Sequence, residues 1–446
     1  MILPSPAKLR FVLATLLAGG LLQLSPAAHA ADGALRLQAG PAAGDLVCPS
    51  PSEVAPRPAP ALDEPQMPTP EMLGRLARPV IREQPVIGPT TLPVLAFGLE
   101  RPFRIAVWGD SHIAAGAFMP TVIERLRGRG FTVGTRFLPP SMGRANVRLR
   151  GLRAYCIGTG WSTELAYSSP GRLQVGPALM NRVVDAGPDS YLWLDLRGAD
   201  LQPTVRQLRI VLRTPDGAAL DLSVNDGPEQ QALLDRGSGS QTLAITTDDR
   251  IATLKLRVSR GRVVLHGFIL DDADPPRMTF DVFGMPSSTT RGWETLDPVY
   301  LAQSLHGEDY DAVILEYGTN DGSDPRFDRD RYADGLRVAL ENLRRVFPRA
   351  SCLLVGPPDR GVLIRRGEQP DLLRYSRTMQ DIEAIQVQTG AGFGCAHWNW
   401  QSLMGGPGGG YGWALHQPSL MGRDLTHLTA AGYRLTGEAL ARSLGF

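Results

Sequence analysis

The chain has 446 residues, a hydrophobic fraction of 43% and a formal net charge of +1. That length suits two or more packed domains, and the charge balance excludes the strongly acidic or basic classes. Only Lys8 and Lys255 are lysines and the arginines are scattered, so the concentrated basic face of a nucleic-acid binder is missing and no nucleic-acid partner is expected.

Lys8 and Arg10 precede an apolar run from Phe11 to Leu24, followed by Pro26 and Ala28-His29-Ala30. This is the layout of a cleavable secretory signal, assigned to residues 1–30. Its apolar run is shorter than the roughly 20 residues that a membrane span needs. The expected mature protein therefore starts near Ala31, has no stable membrane span and resides in the periplasm or outside the cell. Residues 31–95 are rich in proline and alanine, with PSPSEVAPRPAPALDEPQMPTP between Pro49 and Pro70. Proline at that density removes backbone donors and favours an extended spacer.

Export makes disulfides possible for Cys48, Cys156, Cys352 and Cys395. Cys352 and Cys395 can bridge if their apolar runs are neighbouring parallel strands, and Cys48 with Cys156 would tie down the N-terminal segment. Three pairings remain open on sequence grounds. No cysteine or histidine cluster has zinc-ligand spacing, so no metal is expected.

From near Ala96 the chain changes character. RIAVWGDSHIAAGAFM (residues 104–119) predicts a strand, a turn at Gly109-Asp110-Ser111 and a helix from about Ala115 to Arg127. A serine where a strand gives way to a helix exposes its hydroxyl at the carboxyl edge of a sheet, beside outward-facing backbone N–H groups. A further strand is expected over 131–137. GTGWSTELAYSSPG, near residue 160, reads as a surface loop anchored by Trp161 and Tyr167.

Residues 165–275 follow another rhythm. Leu208, Ile210 and Leu212 alternate with Arg209 and Arg213, while Leu254, Leu256 and Val258 alternate with Lys255 and Arg257. Period two marks half-buried strands, and turns such as Asn225-Asp226-Gly227 punctuate them. A β-sandwich is expected here, between two parts of a second domain at 96–164 and 276–446.

Beyond it strands alternate with helices. DAVILEYGTND (Asp311–Asp321) ends an apolar strand in a polar turn. Tyr332, Leu336, Leu340, Leu343 and Phe347 then follow helical spacing up to Pro348, and Leu372, Tyr375, Met379 and Ile382 mark another helix. A glycine-rich loop spans 405–412 and lacks any phosphate-binding pattern. RDLTHLTAAGYRLTGEALARSL places Asp424 three residues before His427, ahead of a final helix. Such alternation predicts a parallel sheet covered on both faces.

A serine hydroxyl needs a base to remove its proton during attack. His427 is the candidate base, with Asp424 fixing its tautomer toward Ser111 and Thr429 capping the following helix. His112 adjoins the serine but is expected to point elsewhere; His266, His306 and His397 read as structural, and His416 is a rival base. Asn320 and the backbone N–H of Ser111 are candidate oxyanion donors.

Ser111 in GDSH, Gly318-x-Asn320-Asp321 and Asp424-x-x-His427, in that order, resemble the SGNH (GDSL-like) hydrolase family. The resemblance implies a three-layer α/β fold, a Ser111–His427–Asp424 triad, no cofactor, and an oxyanion hole in which Gly284 of TFDVFGMPSSTTRGW joins Ser111 and Asn320. GDSH, Gly160-Trp161-Ser162 and the long insert resemble periplasmic peptidoglycan O-acetylesterases, although Ile113 stands where a threonine is expected. In those enzymes the insert looks like a carbohydrate-binding jelly roll. The expected partner is an O-acetylated glycan, peptidoglycan foremost. Alternatives are an esterase of acetylated exopolysaccharide, an O-acetyltransferase to a glycan, and a non-catalytic glycan-binding protein.

Overall fold

The computed structural model describes residues 28–30, 33–40, 44–49, 66–80, 83, 85–88, 101–198, 200–365 and 367–446. Most of the expected secretory leader, the centre of the proline-rich run and the expected domain start near Ala96 lie outside these residues.

Apolar runs with no polar alternation need cover on both faces, which a parallel sheet between helices provides. Five parallel strands do this, in the order Cys395–Trp398, Ser351–Val355, Ala312–Glu316, Phe103–Gly109 and Met278–Gly284. Val133–Gly134 extends one edge, and Val86–Ile87 closes the other antiparallel. Along Phe103–Gly109 the side chains alternate between two cores. Ile105 and Val107 pack with Phe118, Val122, Tyr433 and Leu440 on one face. Ala106 and Trp108 pack with Leu336, Leu340, Met379 and Ile382 on the other. The helices Phe118–Gly128 and Ala430–Ser443 thus cover one side, and Arg329–Val346 with Arg374–Gly392 the other. Trp108 is fully buried, with its indole nitrogen donating to the Pro177 carbonyl at 2.7 Å; truncation to alanine there would cost about 3–5 kcal/mol.

The second body is built on the 20-residue strand Thr253–Asp272. Its first half pairs with Ala218–Val224 and Tyr191–Asp195, and its second half with Val205–Arg213 and Met180–Asp185. Two sheets thus share one long strand and enclose Leu208, Ile210, Leu220, Leu222, Leu254 and Phe268. The period-two runs at 208–213 and 254–258 lie on the expected strands. Strands also form earlier than residue 165: Phe137–Leu138, Ala154–Ile157 and Ser162–Leu165 all join these sheets. GTGWSTELAY is therefore not a plain surface loop, because Ser162–Leu165 pairs with Met180–Val183 and Trp161 is buried.

Other differences have local causes. The expected Ala115–Arg127 helix is two helices, Ser111–Ala114 and Phe118–Gly128, because Ala115 is extended with ψ of 133°. Part of the proline-rich segment, Pro70–Leu76, is helical rather than extended: Thr69 caps it, Pro70 occupies the first turn where no donor is needed, and Leu73 is buried. The glycine-rich loop continues into a helix at Gly409–Leu415. Both plausible disulfides form, Cys48–Cys156 and Cys352–Cys395, the latter between paired positions of neighbouring parallel strands. Among the described residues no helix is long and apolar enough to cross a membrane.

Candidate active site

Ser111 opens a helix directly after the Phe103–Gly109 strand, at the carboxyl edge of the parallel sheet. Asp110 caps that helix by accepting from the His112 N–H at 2.8 Å. On the neighbouring strand Ala312–Glu316, Gly318 turns the chain with φ of 131° beside Pro357, and delivers Asn320 to the same edge.

The Asp424–His427 turn completes the cluster. His427 Nε2 lies 2.9 Å from Ser111 Oγ, and His427 Nδ1 lies 2.6 Å from Asp424 Oδ2. The other Asp424 oxygen accepts from the N–H groups of Thr426 and His427 at 3.0 and 2.9 Å. Burial raises the Asp424 pKa, but these hydrogen bonds outweigh it and hold the carboxyl well below the usual carboxylate range. The bond to Asp424 in turn raises the His427 pKa. Leu425 sits in the turn with φ of 53°, a left-handed conformation that costs about 1–2 kcal/mol for such a residue. Its complete burial and the bond from Gly361 N–H to its carbonyl at 2.8 Å hold it there. Thr429 caps the next helix, accepting from Gly432 N–H.

Each candidate donor has a distinct place. As the first residue of its helix, Ser111 has an N–H that no helical carbonyl can accept, and no partner for it is found among the described residues. The Asn320 amide is already engaged, donating to Asp110 Oδ2 at 3.2 Å and to the Ser288 carbonyl at 2.9 Å, so it can reach an oxyanion only by sharing or releasing one bond. Gly284 differs from the expectation. It pairs with Gly109, and Met285 N–H donates to the Gly109 carbonyl, so the Gly284 N–H points away from the strand that carries Ser111. A Cβ there would meet Ala114 N at 2.3 Å: the glycine lets strand and helix touch. The loop beyond offers Ser287 instead, exposed, with φ of 66° and an N–H that bonds no backbone carbonyl among the described residues.

The remaining histidines separate cleanly. His112 is buried against Trp400 and bonded to the Tyr433 hydroxyl at 3.0 Å; burial lowers its pKa to about 3. His266 lies between Asn181 and Tyr300, His397 between Gln386 and Glu383, and His306 contacts Ser240. His416 bonds the Pro418 carbonyl rather than Ser111.

Sequence reading did not foresee that three carboxyl groups gather near the serine, Asp110 and Glu316 fully buried and Asp321 partly so. Asp110 N–H donates to Glu316 Oε2 at 3.3 Å, while Asp321 accepts from Thr290 N–H. Burial raises all three, Asp110 to about 6, Asp321 to about 7 and Glu316 well above its usual range. The signal was available at Glu316, a charge inside the apolar run VILEY. Among the described residues, no group of three or more histidine, cysteine or acidic side chains could hold a metal ion.

Residues 269–435 match the GDSL-like Lipase/Acylhydrolase family. That match spans the Asn320 and Asp424–His427 turns, and the fold brings Ser111, which precedes it, to the same place. Among solved structures, a peptidoglycan O-acetylesterase is similar at 20% identity with a TM-score of 0.61, over 79% of this chain and 93% of the other. A family two carbohydrate esterase from Clostridium thermocellum matches at 11% identity and TM-score 0.27, over 65% and 97%. A carbohydrate acetylesterase from Sinorhizobium meliloti matches at 17% identity and TM-score 0.28, over 38% and 78%. No curated protein matches the chain. The chain is a carboxylic ester hydrolase with a GDSL-like lipase/acylhydrolase region at residues 269–435, and its fold resembles that of a peptidoglycan O-acetylesterase.

Proposed function

We propose that this chain is an exported serine esterase that removes O-acetyl groups from a cell-wall or extracellular glycan, peptidoglycan foremost, with Ser111, His427 and Asp424 as its triad. The observation that carries this reading is the continuous relay from Ser111 Oγ through His427 to Asp424, at 2.9 and 2.6 Å.

His427 Nε2 takes the Ser111 proton as Oγ attacks the acetyl carbonyl. Asp424 keeps the Nδ1 proton in place and stabilises the imidazolium that forms. The Ser111 N–H and the loop N–H of Ser287 meet the developing oxyanion, with Asn320 joining as its bond to Asp110 or Ser288 loosens. Collapse breaks the ester bond, and His427 returns the proton to the departing sugar oxygen. Water, deprotonated by the same imidazole, then attacks the acetyl-serine, and collapse releases acetate as His427 returns that proton to Ser111 Oγ. The His427 side chain is 47% exposed, so water has access to it, which favours hydrolysis over transfer to another sugar.

A cleft of about 510 Å³ is lined by Ile113, Ala114, Met119, Arg148, Leu428 and Tyr433, residues that follow Ser111 and His427 in the chain, and offers room for part of the glycan. The antiparallel body is read as an inserted domain that presents the glycan. Two disulfides suit an oxidising compartment, in keeping with a leader over residues 1–30. The test is acetate release from O-acetylated peptidoglycan by wild type and Ser111→Ala. Loss of at least about 10³-fold in the variant is expected, and retained activity would reject Ser111 as the nucleophile.

A further inference from the structure

Arg360 stands between the two turns that carry the site. Its Nη1 donates to the Ser323 hydroxyl, and Ser323 N–H bonds the Asn320 carbonyl at 3.2 Å. On the other side Gly361 N–H bonds the Leu425 carbonyl, inside the Asp424–His427 turn. The guanidinium lies over the Tyr375 ring, 4.1 Å from its centroid. This is a costly place for a cation. Its Nε is buried with no hydrogen-bond partner, and among the described residues no carboxylate lies within ion-pairing distance. Burial lowers its pKa, and its charge is felt at His427, His112 and Asp110.

Other arginines that leave water spend their donors on carboxylates, as Arg136 and Arg209 do on Glu308, or on backbone carbonyls, as Arg182 and Arg344 do, whereas Arg360 does neither. Stacking on Tyr375 and one hydroxyl contact fix the Arg360 fork but leave it without a hydrogen-bonded carboxylate, Asp424 and Asp110 acting on it only through space. The residue is still partly exposed, and Nη2 bonds nothing among the described residues. A planar, pre-oriented fork with an open donor, set between the turns that carry Asn320 and His427, is matched by a carboxylate. Asp424, turned toward His427 and Thr426, acts on Arg360 only through space and makes no ion pair with it.

We propose that Arg360 is a specificity-determining residue that pairs with a carboxylate of the glycan, so that the enzyme prefers acetyl esters on acidic sugar chains over those on neutral ones. This rests on the esterase reading above and adds the charge class of its substrate. A neutral glycan would leave the cation unpaired as water is displaced, whereas a carboxylate would replace that lost hydration with a bidentate ion pair.

The experiment compares kcat/KM for three polymers, acetylated peptidoglycan, acetylated alginate and acetylated glucomannan, in wild type, Arg360→Gln and Arg360→Lys. The quantity read is the acidic-to-neutral ratio, in which any general loss of catalytic power cancels. Wild type is expected to favour at least one acidic polymer, and peptidoglycan against alginate shows which carboxylate source is used. Arg360→Gln should lower that ratio at least tenfold, mostly through KM, and Arg360→Lys should restore part of it. An equal loss on all three polymers, or a wild type that favours glucomannan, would overturn the proposal. Should Arg360→Gln fail to fold, inhibition of wild type decides: an oligouronate must inhibit 4-nitrophenyl acetate hydrolysis more strongly than a neutral oligosaccharide of equal length, and equal inhibition counts against Arg360. Failure of the esterase reading shows separately, as 4-nitrophenyl acetate hydrolysis that survives Ser111→Ala.

Discussion

Asp110, just past the end of one strand, and Glu316, at the end of its neighbour, are two fully buried carboxyl groups that meet next to Ser111, with the Asp110 N–H donating to Glu316 Oε2 at 3.3 Å. Two carboxylates this close in a dry site do not both ionise. Burial pushes Glu316 further up than Asp110, so Glu316 holds the proton while Asp110 remains the acceptor for His112 N–H and the Asn320 amide. A carboxyl whose folded-state pKa is raised gives stability that is fully present below its unfolded pKa and is lost as pH rises toward the folded value. Glu316→Gln mimics the protonated form and removes that loss. Its melting temperature should match wild type near pH 4 and exceed it increasingly above. A constant difference across that range, read by thermal unfolding, would remove the shared proton from the account.

The second prediction concerns the relay itself. His427 must be neutral to act as a base, and its hydrogen bond to Asp424 raises its pKa, so activity should fall on the acid side of that value. Asp424→Asn removes the charge. The acid limb of the kcat profile should then move to lower pH, while kcat drops by up to about 10⁴-fold because the wrong tautomer faces Ser111. An unmoved limb in a stopped-pH rate series would mean that another group sets the profile.

How much of this was legible in the sequence differs from residue to residue. Ser111, Asn320 and the Asp424–His427 pair are each local signals, because a polar turn after an apolar run marks the carboxyl end of a strand whatever the strand pairs with. Gly284 shows where local reading stops. A glycine ending a strand looks the same whether its N–H or its missing Cβ is what matters, and only the register with Gly109 tells the two apart. The start of the antiparallel body was misplaced for a related reason: Ser162–Leu165 is too short and too mixed to announce a strand, and only pairing with Met180–Val183 makes it one. Arg360, in GPPDRG, belongs to no pattern, and its lack of a hydrogen-bonded carboxylate exists only in three dimensions.

A third prediction tests the oxyanion side. Asn320 spends both amide protons on Asp110 and Ser288 at rest, so its removal should cost both the alignment of that loop and a donor. Asn320→Ala is expected to reduce kcat by about 10²–10³-fold with a smaller change in KM. Ser287→Gly probes the loop from the other direction: at φ of 66° glycine is unstrained, and a gain of up to about 1 kcal/mol in unfolding free energy is expected. A variant less stable than wild type would mean that the Ser287 side chain contributes more than its backbone costs.

The last prediction concerns the joint between the two bodies. Glu308, nearly buried, accepts from Arg104 and Arg209 at 2.7 Å and from Arg136 at 2.5 Å. Arg209 and Asp271 come from the antiparallel body and Arg104 from the first parallel strand, and Arg136 and Arg209 both bond Asp271 as well. Burial raises the Glu308 pKa, but the hydrogen bonds from Arg136 and Arg209 more than reverse it, and the carboxyl ends below its usual value. Its stability contribution is therefore present above its unfolded pKa and lost as pH falls through the folded one. Glu308→Ala leaves three arginine heads facing one another with only Asp271 between them, and breaking such a buried network typically costs about 3–5 kcal/mol. Urea unfolding near pH 7 should show that loss, and the gap from wild type should narrow on acidification below the unfolded carboxylate range, as the native carboxylate protonates at its lowered pKa. A loss under about 1 kcal/mol would mean that the apolar contacts of Phe137, Val211 and Ile269 with Trp293 and Phe283 hold the bodies together without the charges.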